Sequence, residues 1–200
     1  MRKKQLNTNE IEIVQPRDFF QIRETECVLT LYEIYINSIA INSENDISEL
    51  LHCLRSASYN DQIKIYLNNP GGCVVTTFQI INAMQDCQAN ITTIADGDVS
   101  SAATFIFLAG DDQVVNEHCT FLFHGCLIGG TPGLERLSDN IATLDYTKNL
   151  MKPFWDRYYA GFFTSDEITR MQNGEDFQLT TSQVKRRLVK RSKFLKTIKT

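Results

Sequence analysis

One serine stands where its hydroxyl could act as a nucleophile. Residues 97–104 read Gly-Asp-Val-Ser-Ser-Ala-Ala-Thr, between the β-branched segment 91–95 and the apolar segment Ala102–Ala109. This pattern predicts a strand that turns sharply into a helix. A serine on such a turn projects from the sheet edge, beside helix N-terminal N–H groups that can bind an anion. Ser100 or Ser101 can equally be an ordinary N-cap, and this stretch alone leaves both interpretations open.

Hydrolysis by a serine needs a base within hydrogen-bond reach, and the sequence contains three histidines. The base needs a carboxylate that fixes its tautomer, and the reaction needs backbone N–H groups where negative charge develops. His52 falls in a predicted helix and His118 in a polar loop, whereas His124 ends the apolar segment 120–124. His124 is the best placed of the three, although a lone histidine often has a structural role.

A metal site or a nucleotide site would be a different use of the same region. His118, Cys119, His124 and Cys126 have the ligand types that zinc prefers, but their spacing matches no recognised zinc pattern. On a strand, the last two share a face and Cys119 points away. The turn 70–72, Pro-Gly-Gly, lacks the phosphate-binding motifs. We therefore expect no metal and no organic cofactor.

The composition is that of a globular protein. The chain has 200 residues, of which 42% are hydrophobic and 22% charged, enough for one domain with a full core. No apolar run approaches the ~18 residues that a membrane span requires. The six cysteines form no C-x-x-C pair, which favours reduced thiols. These features predict a cytoplasmic protein without a membrane partner.

The charge is distributed unevenly along the chain. The net charge is −4, yet residues 185–200 carry eight lysines and arginines and no acidic residue. Such a segment can bind nucleic acid or acidic lipid, but is more often a solvated end. We therefore expect a single catalytic domain over residues 1–184, with 1–15 mobile, followed by a basic tail at 185–200. A nucleic-acid partner is not expected.

The elements that must position these residues alternate along the chain. Strands are predicted at 63–67 and 91–95, each followed by a helix, at 74–84 and Ala102–Ala109, a pattern typical of a parallel sheet with crossover helices. The remaining expected elements are strands at 27–32, 34–36, 114–115 and 120–124, a helix that Ser43 or Asp46 would cap, a long amphipathic stretch at 134–159 interrupted at Pro153, a helix starting at Thr164, and a short last helix.

Four motifs occur in order along this pattern. They are Asn-Asn-Pro-Gly-Gly at 68–72, the segment 97–110, Phe-Leu-Phe-His at 121–124 followed by Gly129-Gly130, and Asp176 followed by Leu179-Thr180. In type and separation they resemble the proteolytic subunit of the Clp protease, a serine peptidase of the crotonase-like fold. The resemblance covers roughly residues 34–190.

The resemblance assigns roles by position in the motifs. It implies that Ser101 is the nucleophile, that His124 is the general base and then acid, and that Asp176 orients His124. It also implies that the backbone N–H groups of Gly71 and Ala102 bind the oxyanion.

The resemblance also implies an architecture and partners. It implies an α/β fold with a spiral parallel sheet, flanking helices and a protruding helix–strand handle over about 125–160. Two stacked heptameric rings would enclose unfolded polypeptide substrates, with Gly129-Gly130 in the flexible strand of the handle and an AAA+ unfoldase supplying ATP hydrolysis. The handle helix carries an apolar stripe that would need a partner: Leu134, Leu137, Ile141, Leu144 and Leu150, with Trp155 near its end.

Several positions depart from the family pattern. Asn69 stands where the family usually has serine, Ala102-Ala103 replaces Met-Gly, and residues 187–190 carry charges in place of Gly and Asp. Residues 16–36 read as strands, whereas family members have an apolar docking helix. Two alternatives therefore stay open: a viral protease that matures capsid proteins, and a noncatalytic subunit of a ring assembly. An acyl-CoA site of the crotonase type is the least favoured, because it has no role for the serine, histidine and aspartate.

Overall fold

The computed structural model describes residues 29–39, 47–125 and 137–198, with the side chains of 137–144 excluded. Residues 1–15, Cys126, Gly129-Gly130 and Leu134, which figure in the sequence predictions, lie outside the described residues. The same holds for the side chains of Leu137, Ile141 and Leu144, so the predicted apolar stripe of the handle stays a prediction.

A six-stranded sheet forms the centre of the fold. Its strands are β1 (Leu31–Ile36), β2 (Gln62–Asn69), β3 (Asn90–Ser100), β4 (Asp112–Val115), β5 (Thr120–Phe123) and β6 (Phe177–Thr180). The order is β1-β2-β3-β5-β6, and β4 also pairs with β3. All pairs are parallel except β5 with β6. The predicted α/β fold with a mainly parallel sheet is thus confirmed.

In the part of the chain that the structure describes, six α-helices flank or cross this sheet. They are α1 (Ser48–Ser56), α2 (Val74–Asp86), α3 (Ala102–Ala109), α4 (Leu137–Phe154), α5 (Ser165–Gln172) and α6 (Thr181–Ile198), with a π-helical turn at Trp155–Tyr159. In α3 every residue from Ala102 to Leu108 is buried, which explains its uninterrupted apolar sequence. The core contacts therefore fix α3, and with it the turn that precedes it.

The strand before this turn is longer than predicted. The predicted strand covers 91–95 and the turn falls between it and Ala102, but β3 continues to Ser100. The reason is that two strands pair with successive parts of β3: β4 with 92–95 and β5 with 98–100. The change of direction therefore falls at Ser101.

The long helix of the handle is also different from the prediction, which placed an interruption at Pro153. Pro153 lies inside α4, which continues to Phe154. The irregularity follows the proline, as the π-helical turn Trp155–Tyr159. Proline cannot donate to the helical hydrogen-bond ladder, and a wider turn is one way in which a helix accommodates such a defect.

In the described residues the expected basic tail forms a helix, and two of its arginines pack against the domain. Helix α6 runs across residue 184 as far as Ile198. Arg187 forms an ion pair with Glu167 at 2.6 Å, and Arg191 is buried and donates from Nη2 to the carbonyl of Leu108 at 2.9 Å. These arginines find acceptors on the body of the protein, which holds the segment in a packed helix.

The two predicted helix starts had different outcomes. Thr164 and Glu167 form the expected capping box of α5, each bonding the backbone N–H of the other. Helix α1 begins after Ile47, which provides no side-chain cap, and the two expected caps, Ser43 and Asp46, lie outside the described residues. In the part of the chain that the structure describes, no helix has both the length and the apolar character that crossing a membrane requires.

Candidate active site

Ser101 occupies the turn between β3 and α3 in a strained conformation. Its φ is 53° and its ψ is −124°, and it is the one non-glycine residue with positive φ in the described ranges. Such backbone costs on the order of 1–3 kcal/mol and persists only where packing determines it. Ser101 holds the N-cap position but makes no capping bond, and its hydroxyl bonds to none of the described residues. The N-cap interpretation therefore does not account for it.

Three hydrogen bonds hold this turn in place. The N–H of Ser101 donates to the carbonyl of Leu122 on β5 at 2.8 Å. The hydroxyl of Thr104 lies 2.6 Å from the carbonyl oxygen of Ser101 and 2.7 Å from the hydroxyl of Tyr159, and both Thr104 and Tyr159 are fully buried. The nucleophile position is thus attached to the sheet and to the π-helical turn, which sequence reasoning did not foresee.

Ser100 is directed to a different environment. Its hydroxyl donates to Asp98 at 2.5 Å, and Asp98 also accepts from the hydroxyl of Thr120 at 3.1 Å. Ser100 lines a separate cavity of about 1140 Å³ that includes His118. Because its hydroxyl is bonded to a carboxylate and it precedes the turn, Ser100 differs from Ser101, whose hydroxyl bonds to none of the described residues.

His124 follows β5 and is half-buried. Its Nδ1 lies 2.5 Å from the carbonyl oxygen of Gly125. A carbonyl oxygen only accepts, so this hydrogen bond has Nδ1 as its donor, which in the neutral ring leaves the lone pair on Nε2. This is the tautomer that a general base acting through Nε2 requires.

Ser101 and His124 line the same cavity, which has a volume of about 310 Å³. Its other walls are largely apolar and include Val74 from α2, Phe105 from α3, and Met151. The cavity lies at the N-terminus of α3, where helix N–H groups are free of intrahelical partners. The structure therefore brings the two principal predicted residues to one concave, mostly apolar site of the kind that binds a substrate side chain.

Asp176 is at the edge of this arrangement. The antiparallel register pairs Phe121 with Leu179 and Phe123 with Phe177, and His124 and Asp176 are the residues that adjoin this last pair, at the same end of the two strands. Asp176 is exposed, and its carboxylate bonds to none of the described residues. Its apolar neighbours Phe177 and Leu179 therefore do not bury this carboxylate.

The two predicted oxyanion donors lie close together. A Cβ added to Gly71, whose φ is +96°, would come within 2.6 Å of Ser101 Cβ and 2.9 Å of the nitrogen of Ala102. Only glycine allows this approach. Ala102, the first residue of α3, has no carbonyl partner within its helix.

The N–H of Gly71, however, is already bonded. It donates at 2.8 Å to Oδ1 of Asn69, whose Nδ2 donates to the carbonyl of Ile36 at 3.3 Å. Asn69 is fully buried. Sequence reasoning noted Asn69 only as a departure, although an asparagine two residues before a turn glycine is a known signal for this bond.

The residues considered for other chemistry do not converge. His52 and His118 are exposed, and Cys53, Cys73, Cys87 and Cys119 are free thiols. Within ranges 29–39, 47–125 and 137–198 no three histidine, cysteine or acidic side chains are grouped as metal ligands would be.

Comparison with known proteins gives the family. The sequence model of the Clp protease family matches residues 21–160, which include Ser101 and His124 but end before Asp176. The ATP-dependent Clp protease proteolytic subunit 1 of Rhodococcus jostii (strain RHA1) is 30% identical over 113 residues, covering 55% of this chain and 51% of the relative. Subunit 2 of the same protease from Streptomyces avermitilis is 36% identical over 89 residues, 44% of each chain.

A further relative is matched over a longer range. Proteolytic subunit 2 of Corynebacterium jeikeium (strain K411) is 26% identical over 146 residues, covering 72% of this chain and 68% of the relative. The chain thus spans about half the length of the first two relatives and two thirds of the third. Since the family model matches well over half of the sequence, the chain belongs to the Clp protease family.

Proposed function

We propose that the protein is a serine endopeptidase that cleaves unfolded polypeptides. The observation that carries this proposal is the pairing of Ser101 with His124. Ser101 has a strained backbone and a hydroxyl without a partner among the described residues, and it shares one cavity with a histidine in the tautomer of a general base. Membership in a family of proteases supports the same chemistry.

In the proposed mechanism Ser101 Oγ attacks the carbonyl carbon of the peptide bond. His124 Nε2 takes the hydroxyl proton and then gives it to the leaving amine. Water, activated by the same histidine, then hydrolyses the acyl-enzyme. These steps need side chains and backbone groups alone, without a metal or an organic cofactor.

Asp176 is proposed to orient and stabilise the charged form of His124. In the structure the Nδ1 proton of His124 goes to the carbonyl of Gly125 instead. Both residues adjoin the Phe123–Phe177 pair at the same end of β5 and β6, which supports an exchange of one acceptor for the other. The carboxylate is the better partner once the ring becomes an imidazolium, since hydrogen bonds between ions are about twice as strong.

The N–H groups of Gly71 and Ala102 are proposed to bind the oxyanion. For Gly71 this requires competition with Asn69 Oδ1, which accepts the same proton. An oxyanion carries a full charge and accepts the stronger hydrogen bond. It therefore displaces the neutral amide oxygen of Asn69 or shares the N–H of Gly71 with it.

The proposed assembly is a tetradecamer of two stacked heptameric rings that works in the cytoplasm with an AAA+ unfoldase. The three relatives are named as proteolytic subunits of an ATP-dependent protease, which supports such a partnership. A noncatalytic ring subunit is the rival function. It is favoured by the missing bond of Asp176 and by the engaged N–H of Gly71.

A peptidase assay decides between these functions. We expect the wild type to cut a small fluorogenic peptide and Ser101→Ala to reduce turnover by about 10⁶-fold. Ser100→Ala is the matched control and should retain most activity. Sedimentation velocity of all three variants should give the same ring-sized species. An inactive wild type that still forms rings would identify a noncatalytic subunit and overturn the proposal.

A further inference from the structure

A short chain of hydrogen bonds behind the candidate site has a fixed direction. The carbonyl oxygen of Ser101 can only accept, so the hydroxyl of Thr104, 2.6 Å away, donates its one proton to it. The hydroxyl of Tyr159 lies 2.7 Å from that of Thr104, whose proton is already used, so Tyr159 is the donor in this second bond. Burial raises the pKa of the Tyr159 hydroxyl, which therefore keeps its proton. The chain runs from Tyr159 through Thr104 to Ser101.

The carbonyl at the end of this chain shares a peptide group with the N–H of Ala102, a proposed oxyanion donor. The described peptide bonds are trans, and in a trans peptide the C=O and the N–H lie in one plane and point in opposite directions. The direction in which Thr104 holds the carbonyl of Ser101 therefore fixes the direction of the Ala102 N–H. This N–H donates to none of the described residues, and Ala102 lines the cavity that contains Ser101 and His124.

The chain also makes the Ala102 N–H a stronger donor. Hydrogen bonds in series polarise one another, and a carbonyl oxygen that accepts them draws electrons from the nitrogen of its own peptide group. The carbonyl of Ser101 accepts twice, from the hydroxyl of Thr104 and from the backbone N–H of the same residue at 3.0 Å. Thr104 and Tyr159 are fully buried, so water does not compete for these bonds.

Tyr159 has a matched neighbour in the same turn. The ring of Tyr159 stacks on Phe105 of α3 with centroids 4.6 Å apart and meets Phe123 of β5 edge-on at 5.7 Å, contacts that phenylalanine would keep. Tyr158 is also buried in the π-helical turn, but its hydroxyl accepts from Gln85 Nε2 of α2 at 2.5 Å and takes no part in the chain to Ser101. The same substitution can therefore be made with and without loss of that chain.

We propose that Thr104 and Tyr159 are positioning residues of the oxyanion site, whose hydroxyl groups aim and polarise the peptide group between Ser101 and Ala102. The inference rests on the proposed peptidase function. Tyr159 is the last residue of the π-helical turn that follows α4, so the position of this turn acts on the oxyanion donor through two hydroxyl groups.

Steady-state kinetics with a small fluorogenic peptide tests this inference. We expect Tyr159→Phe to lower kcat about tenfold, the size of one neutral hydrogen bond, and to leave KM within about twofold, because the oxyanion forms only during the reaction. Tyr158→Phe is the matched control and should change kcat less than about twofold. An unchanged kcat in Tyr159→Phe, or equal losses in the two variants, would overturn the inference.

Variants of Thr104 test the chain with the tyrosine in place. Thr104→Val keeps the shape and removes the hydroxyl, and it should lower kcat by about 10- to 100-fold, less than the loss of a whole oxyanion donor. Thr104→Ser restores the hydroxyl and should regain most of this loss. Because the two hydroxyls act in series, adding Tyr159→Phe to Thr104→Val should cost little more. Fully additive losses would show that the two groups act separately and would contradict the chain.

A nuclear magnetic resonance measurement needs no turnover. Labelling serine carbonyls with ¹³C and alanine nitrogens with ¹⁵N selects the two Ser-Ala peptide groups of the chain, 56–57 and 101–102. Tyr159→Phe should shift the signal of 101–102 and leave that of 56–57 in place, while Tyr158→Phe should move neither. A signal of 101–102 that does not move would overturn the inference. A chain that cuts no peptide would refute the peptidase function, while these shifts would still decide whether Tyr159 polarises the peptide group.

Discussion

The two sides of the candidate site are built in different ways. On the nucleophile side, Ser101 is fixed by Leu122, Thr104 and the fully buried helix α3. On the acid side, His124 and Asp176 extend past the ends of β5 and β6, and the aspartate is exposed and unbonded. Packing in the core of the domain determines the position of Ser101. The positions of His124 and Asp176 depend only on how β5 and β6 pair.

This difference indicates which step of catalysis the isolated domain leaves incomplete. A strained turn needs support from its surroundings, and the buried residues of α3 provide it. His124 and Asp176 lie beyond the ends of their strands, so substrate binding or assembly can complete their pairing. We therefore expect regulation on the acid side.

The largest effect that probes this contrast is expected from Asp176→Asn. An asparagine amide would donate to Nδ1 and favour the wrong tautomer of His124, so turnover of a peptide should fall by about 10⁴-fold. The free energy of unfolding should not change, because the side chain is exposed. Glu175→Gln, which alters the adjacent exposed carboxylate, is the control. A near-normal rate for Asp176→Asn would show that the carbonyl of Gly125 alone orients the histidine.

A smaller effect is expected at the nucleophile side from Asn69→Ala. This change releases the N–H of Gly71 for the oxyanion and should raise kcat by up to about tenfold. It also leaves the carbonyl of Ile36 without its partner, so the free energy of unfolding should fall by about 1–3 kcal/mol. Asn68→Ala is the matched control. It removes a similar bond, in which the N–H of Asp98 donates to Asn68 Oδ1, away from the oxyanion site. A fall in kcat for Asn69→Ala, with no change for Asn68→Ala, would mean that Asn69 supports the turn and does not compete with the oxyanion for the N–H of Gly71.

The smallest effect is expected at the ion pair of Glu167 in α5 with Arg187 in α6. Hydrogen bonds from Arg187 lower the pKa of Glu167 from 4.5 to about 2. Because the folded-state pKa is depressed, this stabilisation is present above pH 4.5 and is lost as the pH falls towards 2. Glu167→Gln should therefore lower the unfolding free energy by about 2 kcal/mol at pH 7 and much less near pH 2.5, as measured by urea unfolding. The exposed pair of Arg170 and Glu175 is the control, and Glu175→Gln should change stability little.

Sequence patterns predicted the nucleophile side better than the acid side. Alternating strands and helices and the apolar run of α3 are local signals, and they located the turn to within a few residues. Its exact place depended on which strands pair with β3, which is a long-range property. The exposure of Asp176 and the indole of Trp155, which is unpaired among the described residues, also depend on contacts between distant segments, so no local pattern indicated them. The bond from Gly71 to Asn69 is local, and its sequence signal was present.

Labelling with a fluorophosphonate tests the central claim most directly. The reagent reacts with a serine hydroxyl only where a base and oxyanion donors activate it, and mass spectrometry of the digested protein identifies the modified residue. We expect one adduct, on Ser101, that Ser101→Ala and His124→Ala both abolish while Ser100→Ala leaves it intact. An adduct on Ser100, beside Asp98 and in the cavity with His118, or no adduct on a folded protein, would contradict it.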